Sequence, residues 1–216
     1  MRTNCQRYQF RSDHVDLYIC CFVYCSNPTI RCDVGWMGKE ALVLGIVGSE
    51  GAKFTPETEL KARKLIRLLI KDLGPLDAVC SGACHLGGVD VFAVEEARKF
   101  DIDTIEYPPK VHRWEGGYKQ RNLQIAQMSD EVICIVPLYL PESYTGMKFG
   151  VCYHHDSHET NIPNHVKSGG EWTGLQAAKL GKNYSLIIID PDSPVARCYF
   201  KNSRGEWKLS AEYPVD

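Results

Sequence analysis

A repeating order of short apolar run, glycine-rich turn and helix-length segment constrains this chain more than any other feature. The run over residues 41–47 is continuously apolar, as expected of a strand covered on both faces. Further candidate strands fall at 76–80, 103–107, 131–136 and 184–189. Between the first two, Thr55-Pro56 offers a capping hydroxyl followed by proline at the first helical position. Leu60, Ala62, Leu65, Ile66, Leu69 and Leu73 then recur at helical spacing, and Gly74-Pro75 ends the pattern. Helices are predicted over 89–100, 118–128 and 172–180, the first with Phe92, Ala93, Ala97 and Phe100 on one face. Repeated β-α units predict an α/β fold: a parallel sheet with helices on both faces.

Three segments lie outside this repeat. Residues 1–37 read as an N-terminal extension, either an edge strand or residues upstream of a start at Met37; five of the ten cysteines lie there. Residues 137–167 form a long His-rich insertion within the domain at 38–190. Residues 191–216 read as a C-terminal β-hairpin turning at Asn202-Ser203-Arg204-Gly205. No apolar run reaches the roughly 18 residues of a membrane span. The apolar stretch at 17–25 is short and follows several charges, so it does not read as a signal peptide. Ten cysteines in a chain of this size suggest free thiols or metal ligands, and a cytoplasmic protein is expected.

In open α/β sheets, ligands sit beyond the carboxyl ends of the strands. Three glycine-rich segments fall there: Gly48-Ser49-Glu50-Gly51, then Ser81-Gly82 with Gly87-Gly88-Val89-Asp90, then Ser168-Gly169-Gly170-Glu171-Trp172-Thr173. Glycine lets a backbone approach an anion, and helix N-termini offer unpaired N–H groups with partial positive charge. Their convergence predicts a phosphate or nucleotide site. No Walker lysine motif is present, and the first segment has the wrong spacing for a dinucleotide fingerprint.

With Arg121-Asn122 and the following Ile125-Ala126 and Ser129-Asp130, these segments resemble the SLOG superfamily. That group includes the LOG phosphoribohydrolases and the DprA/Smf and YpsA/YspA-like proteins. The resemblance spans about residues 40–190 and implies a Rossmann-like nucleotide-binding fold and a homodimer, for which Phe92, Phe100 and Leu123 are candidates, as they equally are for the core. It matches Arg121 to the catalytic or phosphate-contacting arginine, Gly169-Gly170 to the paired glycines and Thr173 to the family threonine. The implied reaction is hydrolysis of an N-glycosidic bond in a nucleoside monophosphate. The family glutamate falls on Gln176, an amide that cannot act as general base. Glu171 or Asp90 can substitute; Asp90 also reads as an acid complementing a helix dipole. Nucleotide binding therefore carries over better than catalysis.

The insertion has its own signal. Cys152-x-x-His155 and His165-x5-Glu171 offer four ligands at zinc-like spacing, among further histidines at 154 and 158. A structural zinc, a solvated loop and a catalytic metal are the readings, and a metal role for Glu171 competes with a catalytic one. Trp114, Tyr118 and Trp172 are candidates to stack on a base, with His112 nearby; covering the sheet edge is the alternative. Arg113, Lys119 and Arg121 offer positive charge. Cys80 and Cys84 are either a redox pair or small buried thiols.

Two further functions compete with a nucleotide-cleaving enzyme. One is a non-catalytic nucleotide sensor, favoured by Gln176. The other is a DprA-like single-strand DNA binder. Acidic residues outnumber basic ones 27 to 25, for a net charge of −2, and no basic stripe is present, which counts against nucleic acid.

Overall fold

The computed structural model describes residues 42–73, 76–148, 152, 154–155, 162–202 and 204–216. The expectations for residues 1–37, Gly74-Pro75, His158 and Ser203 fall outside these. Among the described residues, seven strands form one sheet. In chain order the elements are β1 (Leu42–Gly48), α1 (Pro56–Asp72), β2 (Leu76–Ser81), α2 (Val89–Arg98), β3 (Asp103–Glu106), α3 (Lys119–Met128), β4 (Glu131–Pro137), α4 (Gly169–Lys179), β5 (Asn183–Ile189), β6 (Val195–Lys201) and β7 (Trp207–Pro214). The strand order is β3-β2-β1-β4-β5-β6-β7. The first five run parallel. The C-terminal hairpin adds β6 and β7 antiparallel to the edge of the same sheet. The α/β, Rossmann-like architecture expected from the sequence is present, as a mixed sheet with a parallel core.

Alternation along the strands builds the two layers. On β1, Leu44 and Ile46 join a core with Leu65, Ile66 and Leu69 of α1 and Phe92, Ala93 and Ala97 of α2. Val47 faces the other way, into a core with Ile125 and Ala126 of α3 and Ala177 of α4. One helix pair thus covers each face, because successive strand side chains point to opposite sides.

The helix starts follow their caps. Thr55 Oγ1 accepts the N–H of Thr58, and Thr58 Oγ1 accepts the N–H of Thr55, with Pro56 at the first helical position. The apolar stripe of α1 is the expected one at Ala62, Leu65, Ile66 and Leu69, with Leu73 partly buried against the core; Leu60 departs from it at 67% exposed, and Ile70 joins the core. Lys61 is buried instead, its Nζ donating to the carbonyls of Pro191 and Ser193. Helix α4 begins at Gly169, three residues earlier than its apolar pattern suggests. Ser168 Oγ accepts the N–H of Gly170, and the Glu171 carboxylate accepts the N–H of Ser168. The signal was in the sequence as Ser168-x-x-Glu171, a capping box. Phe92 packs in the core and Phe100 is partly buried against it; Leu123 is exposed.

The insertion leaves at Pro137 and returns at Val166, whose N–H donates to the Pro137 carbonyl at 3.0 Å. Its described residues contain no α-helix or strand. No helix among the described residues is long and apolar enough to cross a membrane.

Candidate functional site

The chain runs from β1 outward through β2 to β3, then crosses back to β4 on the other side of β1. That reversal opens a crevice at the carboxyl ends of β1 and β4. A cavity of about 220 Å³ lies there. The three glycine segments meet at it. The N–H of Val89 donates to the Ser49 carbonyl, and that of Gly51 to the Leu86 carbonyl, so the turns after β1 and β2 are stitched together. Gly88 caps α2 at φ +86°, and a Cβ there would collide with the Ser49 carbonyl oxygen. Gly170 presses the first turn of α4 against Gly48, where a Cβ would lie 2.7 Å from the Gly48 nitrogen. Larger residues at either position would force the walls apart.

Of the expected phosphate-site residues, Gly48, Ser49, Gly87, Asp90, Arg121, Asn122, Ser168, Gly169 and Gly170 line this cavity. Ser81, Gly82, Gly88 and Thr173 support it from behind. Ser81 is fully buried and donates its hydroxyl to the Ile46 carbonyl, inside the sheet. Thr173 is buried, its hydroxyl 3.4 Å from the Gly169 carbonyl. Lys53 and Glu50 line the cavity although neither was expected to bind. Their signal was position alone, in the turn directly after β1.

Ser49 is the distinctive polar group. Its hydroxyl is buried on the cavity wall and has no hydrogen-bond partner among the described residues. Buried hydroxyls are nearly always paired, and one left unpaired costs about 1–3 kcal/mol. Arg121 is the opposite case. Nη1 donates to the Gly82 carbonyl at 2.6 Å and to Asp90 Oδ2 at 2.9 Å, and Nε donates to Asn122 Oδ1 at 2.9 Å. Asn122 in turn donates to the Gly169 carbonyl, tying α3 to α4. Burial pushes the Asp90 carboxyl above the usual range, and Arg121 offsets part of that rise. Arg121 thus holds the wall together as well as facing the cavity. Burial likewise lowers the Lys53 amine, with Glu50 and Glu171 pulling it back up. Glu50 accepts a hydrogen bond from Tyr144 of the insertion at 2.8 Å.

The rim is aromatic. Trp114 and Tyr118 line the cavity. His85 and His112 stack at 3.7 Å with planes 4° apart, and Tyr118 meets His85 Nδ1 at 3.2 Å. Trp172 does not line the cavity; it stands edge-on to Trp114 at 5.3 Å and 83°. Lys119 pairs with Glu115, and neither it nor Arg113 lines the cavity. Cys80 is buried in β2 and unbridged, and burial pushes its thiol up to about 11; Cys84 is raised for the same reason. Cys80 is thus a small buried thiol of the strand, whereas Cys84 is half-buried and lines the cavity.

Glu171 corrects an expectation. It was a candidate acid/base, but it is fully buried and does not line the cavity. One oxygen completes the α4 capping box. The carboxylate lies 3.5 Å from His154 Nδ1 and 3.4 Å from His165 Nε2. Ligand atoms of Cys152, His154, His165 and Glu171 all lie within 4.8 Å of one another. His154 joins this group where spacing pointed to His155. The reason is a local turn: His155 Nδ1 lies 2.7 Å from Cys152 Sγ, while its Nε2 meets the Ile162 carbonyl. Burial and the neighbouring histidines push His154 down to about 3. Burial acts the same way on His165, but hydrogen bonding and charge from Cys152 and Glu171 outweigh it and raise it to about 10.

Comparison with protein-family models, with curated proteins and with solved structures finds no match to this chain.

Proposed function

We propose that this protein binds a nucleotide or nucleotide-derived ligand in the crevice between β1 and β4. The phosphate lies against Ser49 and the first turns of α2 and α4, and the base lies toward Trp114 and Tyr118. The observation that carries this reading is the buried, unpartnered Ser49 hydroxyl on the cavity wall. A phosphate oxygen accepts its proton, and two helix N-termini supply N–H groups and partial positive charge. Lys53 and Arg121 add cations, while Glu50 and the Arg121-paired Asp90 leave room for ribose hydroxyls as donors. This agrees with the SLOG resemblance in the sequence.

Binding without turnover is favoured over cleavage. Glu171 is engaged in the cap and the histidine group, and the family glutamate position holds Gln176. Any cleavage chemistry would fall to Glu50 or Asp90, the carboxylates on the cavity wall. A DNA-binding role has no support from the net charge of −2.

The test is thermal shift of the full chain against AMP, GMP, CMP, UMP, ADP-ribose, NAD and cyclic nucleotides, with free base followed by chromatography. A ligand at a hundredfold excess over Kd adds about 2.7 kcal/mol. A shift without base release is expected. Base release would make the protein a phosphoribohydrolase-like enzyme. No shift with any nucleotide would overturn the reading.

A further inference from the structure

We infer that the chain carries a closed, four-coordinate zinc centre formed by Cys152, His154, His165 and Glu171. This goes beyond the nucleotide reading and does not depend on it. The ligands come from two separate segments of the insertion and the first turn of α4. Tetrahedral zinc with bonds of about 2.0–2.3 Å places its ligand atoms roughly 3.3–3.8 Å apart. Here Cys152 Sγ lies 3.9 Å from His154 Nδ1. His154 Nδ1 lies 3.5 Å from Glu171 Oε2, and His165 Nε2 lies 3.4 Å from Glu171 Oε1.

Two atoms of the group make no well-formed hydrogen bond among the described residues and are met by other members of the cluster, His165 Nε2 by Glu171 Oε1 at 3.4 Å and Glu171 Oε2 by His154 Nδ1 at 3.5 Å. His165 Nε2 and Glu171 Oε2 are both buried and both belong to this one cluster. Two such defects side by side are improbable as mere packing faults, because buried polar atoms are almost always satisfied. A cation between them resolves both. The outer contacts match what a metal site needs. Tyr184 Oη meets His154 Nε2 at 2.9 Å, and the Pro163 carbonyl meets His165 Nδ1 at 3.2 Å. Each leaves the histidine's other nitrogen to the cluster. The N–H of Ser168 holds Glu171 Oε1, and the N–H of His155 donates to Cys152 Sγ at 3.4 Å.

The donor set selects the metal. One sulfur, two imidazoles and one carboxylate suit zinc, whereas calcium and magnesium take oxygen. Cys152, His154 and Glu171 are at most 2% exposed. A site so dry must be close to neutral. A divalent ion with one thiolate, one carboxylate and two neutral imidazoles is neutral; binding forms the zinc–ligand bonds and releases to solvent the protons that the thiol and the imidazole rings must give up to ligate. All four positions are filled by protein, so the centre is structural rather than catalytic. It clamps the insertion to the start of α4.

The experiment is metal analysis of the purified full chain, followed by replacement with cobalt(II). About one zinc per chain is expected, and the cobalt form should show intense tetrahedral visible bands with a thiolate charge-transfer band in the near ultraviolet. Cys152→Ser should abolish the charge-transfer band. His154→Ala should abolish the tetrahedral spectrum while His155→Ala keeps it; the reverse pattern overturns the choice of His154. To separate ligand loss from misfolding, a chelator is applied to the wild-type chain and zinc is restored. The Tm should fall by roughly 10 °C or more and recover. A folded chain that takes up no stoichiometric zinc from excess, or whose cobalt complex is six-coordinate without a charge-transfer band, overturns the proposal.

Discussion

The cavity and the histidine cluster share one helical turn yet treat buried polar atoms in different ways. Ser168, Gly169 and Gly170 line a crevice of about 220 Å³, where the Ser49 hydroxyl stands without a hydrogen-bond partner among the described residues. Glu171, the next residue, turns into a packed group of sulfur and imidazole. The cavity is walled by glycine and rimmed by exposed aromatics, so a ligand can enter and leave. The cluster is sealed by Tyr184 and Trp207, both of which pack against His154. Unsatisfied polar atoms in an open site are an invitation to an exchangeable ligand. In a closed site they call for a permanent one. Charge tells the same story: Arg121 already has Asp90 as its partner, whereas the cluster gathers a thiol and a carboxylate around two histidines.

The largest test of this contrast is Glu171→Gln. It removes an anion from the cluster and weakens the α4 cap, and breaking a buried ionic group costs about 3–5 kcal/mol. Thermal unfolding should show a Tm fall of roughly 10 °C or more. Unchanged stability with lost nucleotide binding would instead assign Glu171 to the cavity and break the comparison.

Arg121→Ala comes next. It leaves Asp90 buried without its counter-charge, at a cost of about 3 kcal/mol. Denaturant unfolding should detect this, along with weaker nucleotide binding. If only binding changes, Arg121 serves the ligand and not the wall.

Ser49→Ala separates the two roles most sharply. The hydroxyl has no hydrogen-bond partner among the described residues, so its removal should leave stability unchanged or raise it by up to about 1 kcal/mol. Nucleotide affinity should fall roughly tenfold, equal to about 1.4 kcal/mol. Titration calorimetry beside thermal unfolding reads both. A loss of stability with affinity intact would mean the hydroxyl is structural.

Trp114→Ala should have the smallest effect. The ring is 36% exposed, so stability should stay within about 0.5 kcal/mol. Affinity should fall by a factor of about two to five, the size of a stacking contribution near 0.5–1 kcal/mol. Fluorescence titration would show no change if the rim aromatics only cover the sheet edge.

Much of this architecture was legible in local pattern. Continuous apolar runs marked β1, β4 and β5, because a strand covered on both faces must be apolar on both; β3, with the sequence Asp-Thr-Ile-Glu at the sheet edge, is half-exposed and has no such run. Thr55-Pro56 marked the start of α1 through its capping chemistry. The glycine segments pointed to one sheet edge, and nine of the thirteen expected phosphate-site residues line the cavity. The misses have physical causes. Leu60 fits a helical spacing, but the stripe that buries is fixed by what α1 packs against, and Ile70 lies on it. Ser81 sits at the right strand end, but its side chain points into the sheet.

The sequence by itself determined the order of elements, their caps and the glycine turns, because each rests on interactions within a few residues. Only the tertiary structure decided that Glu171 faces the cluster, that His154 rather than His155 completes it, and that Ser49 stands unpaired on a cavity wall. Those facts depend on side-chain direction across contacts distant in the chain. A one-residue step in a turn reverses such a direction without changing any local pattern.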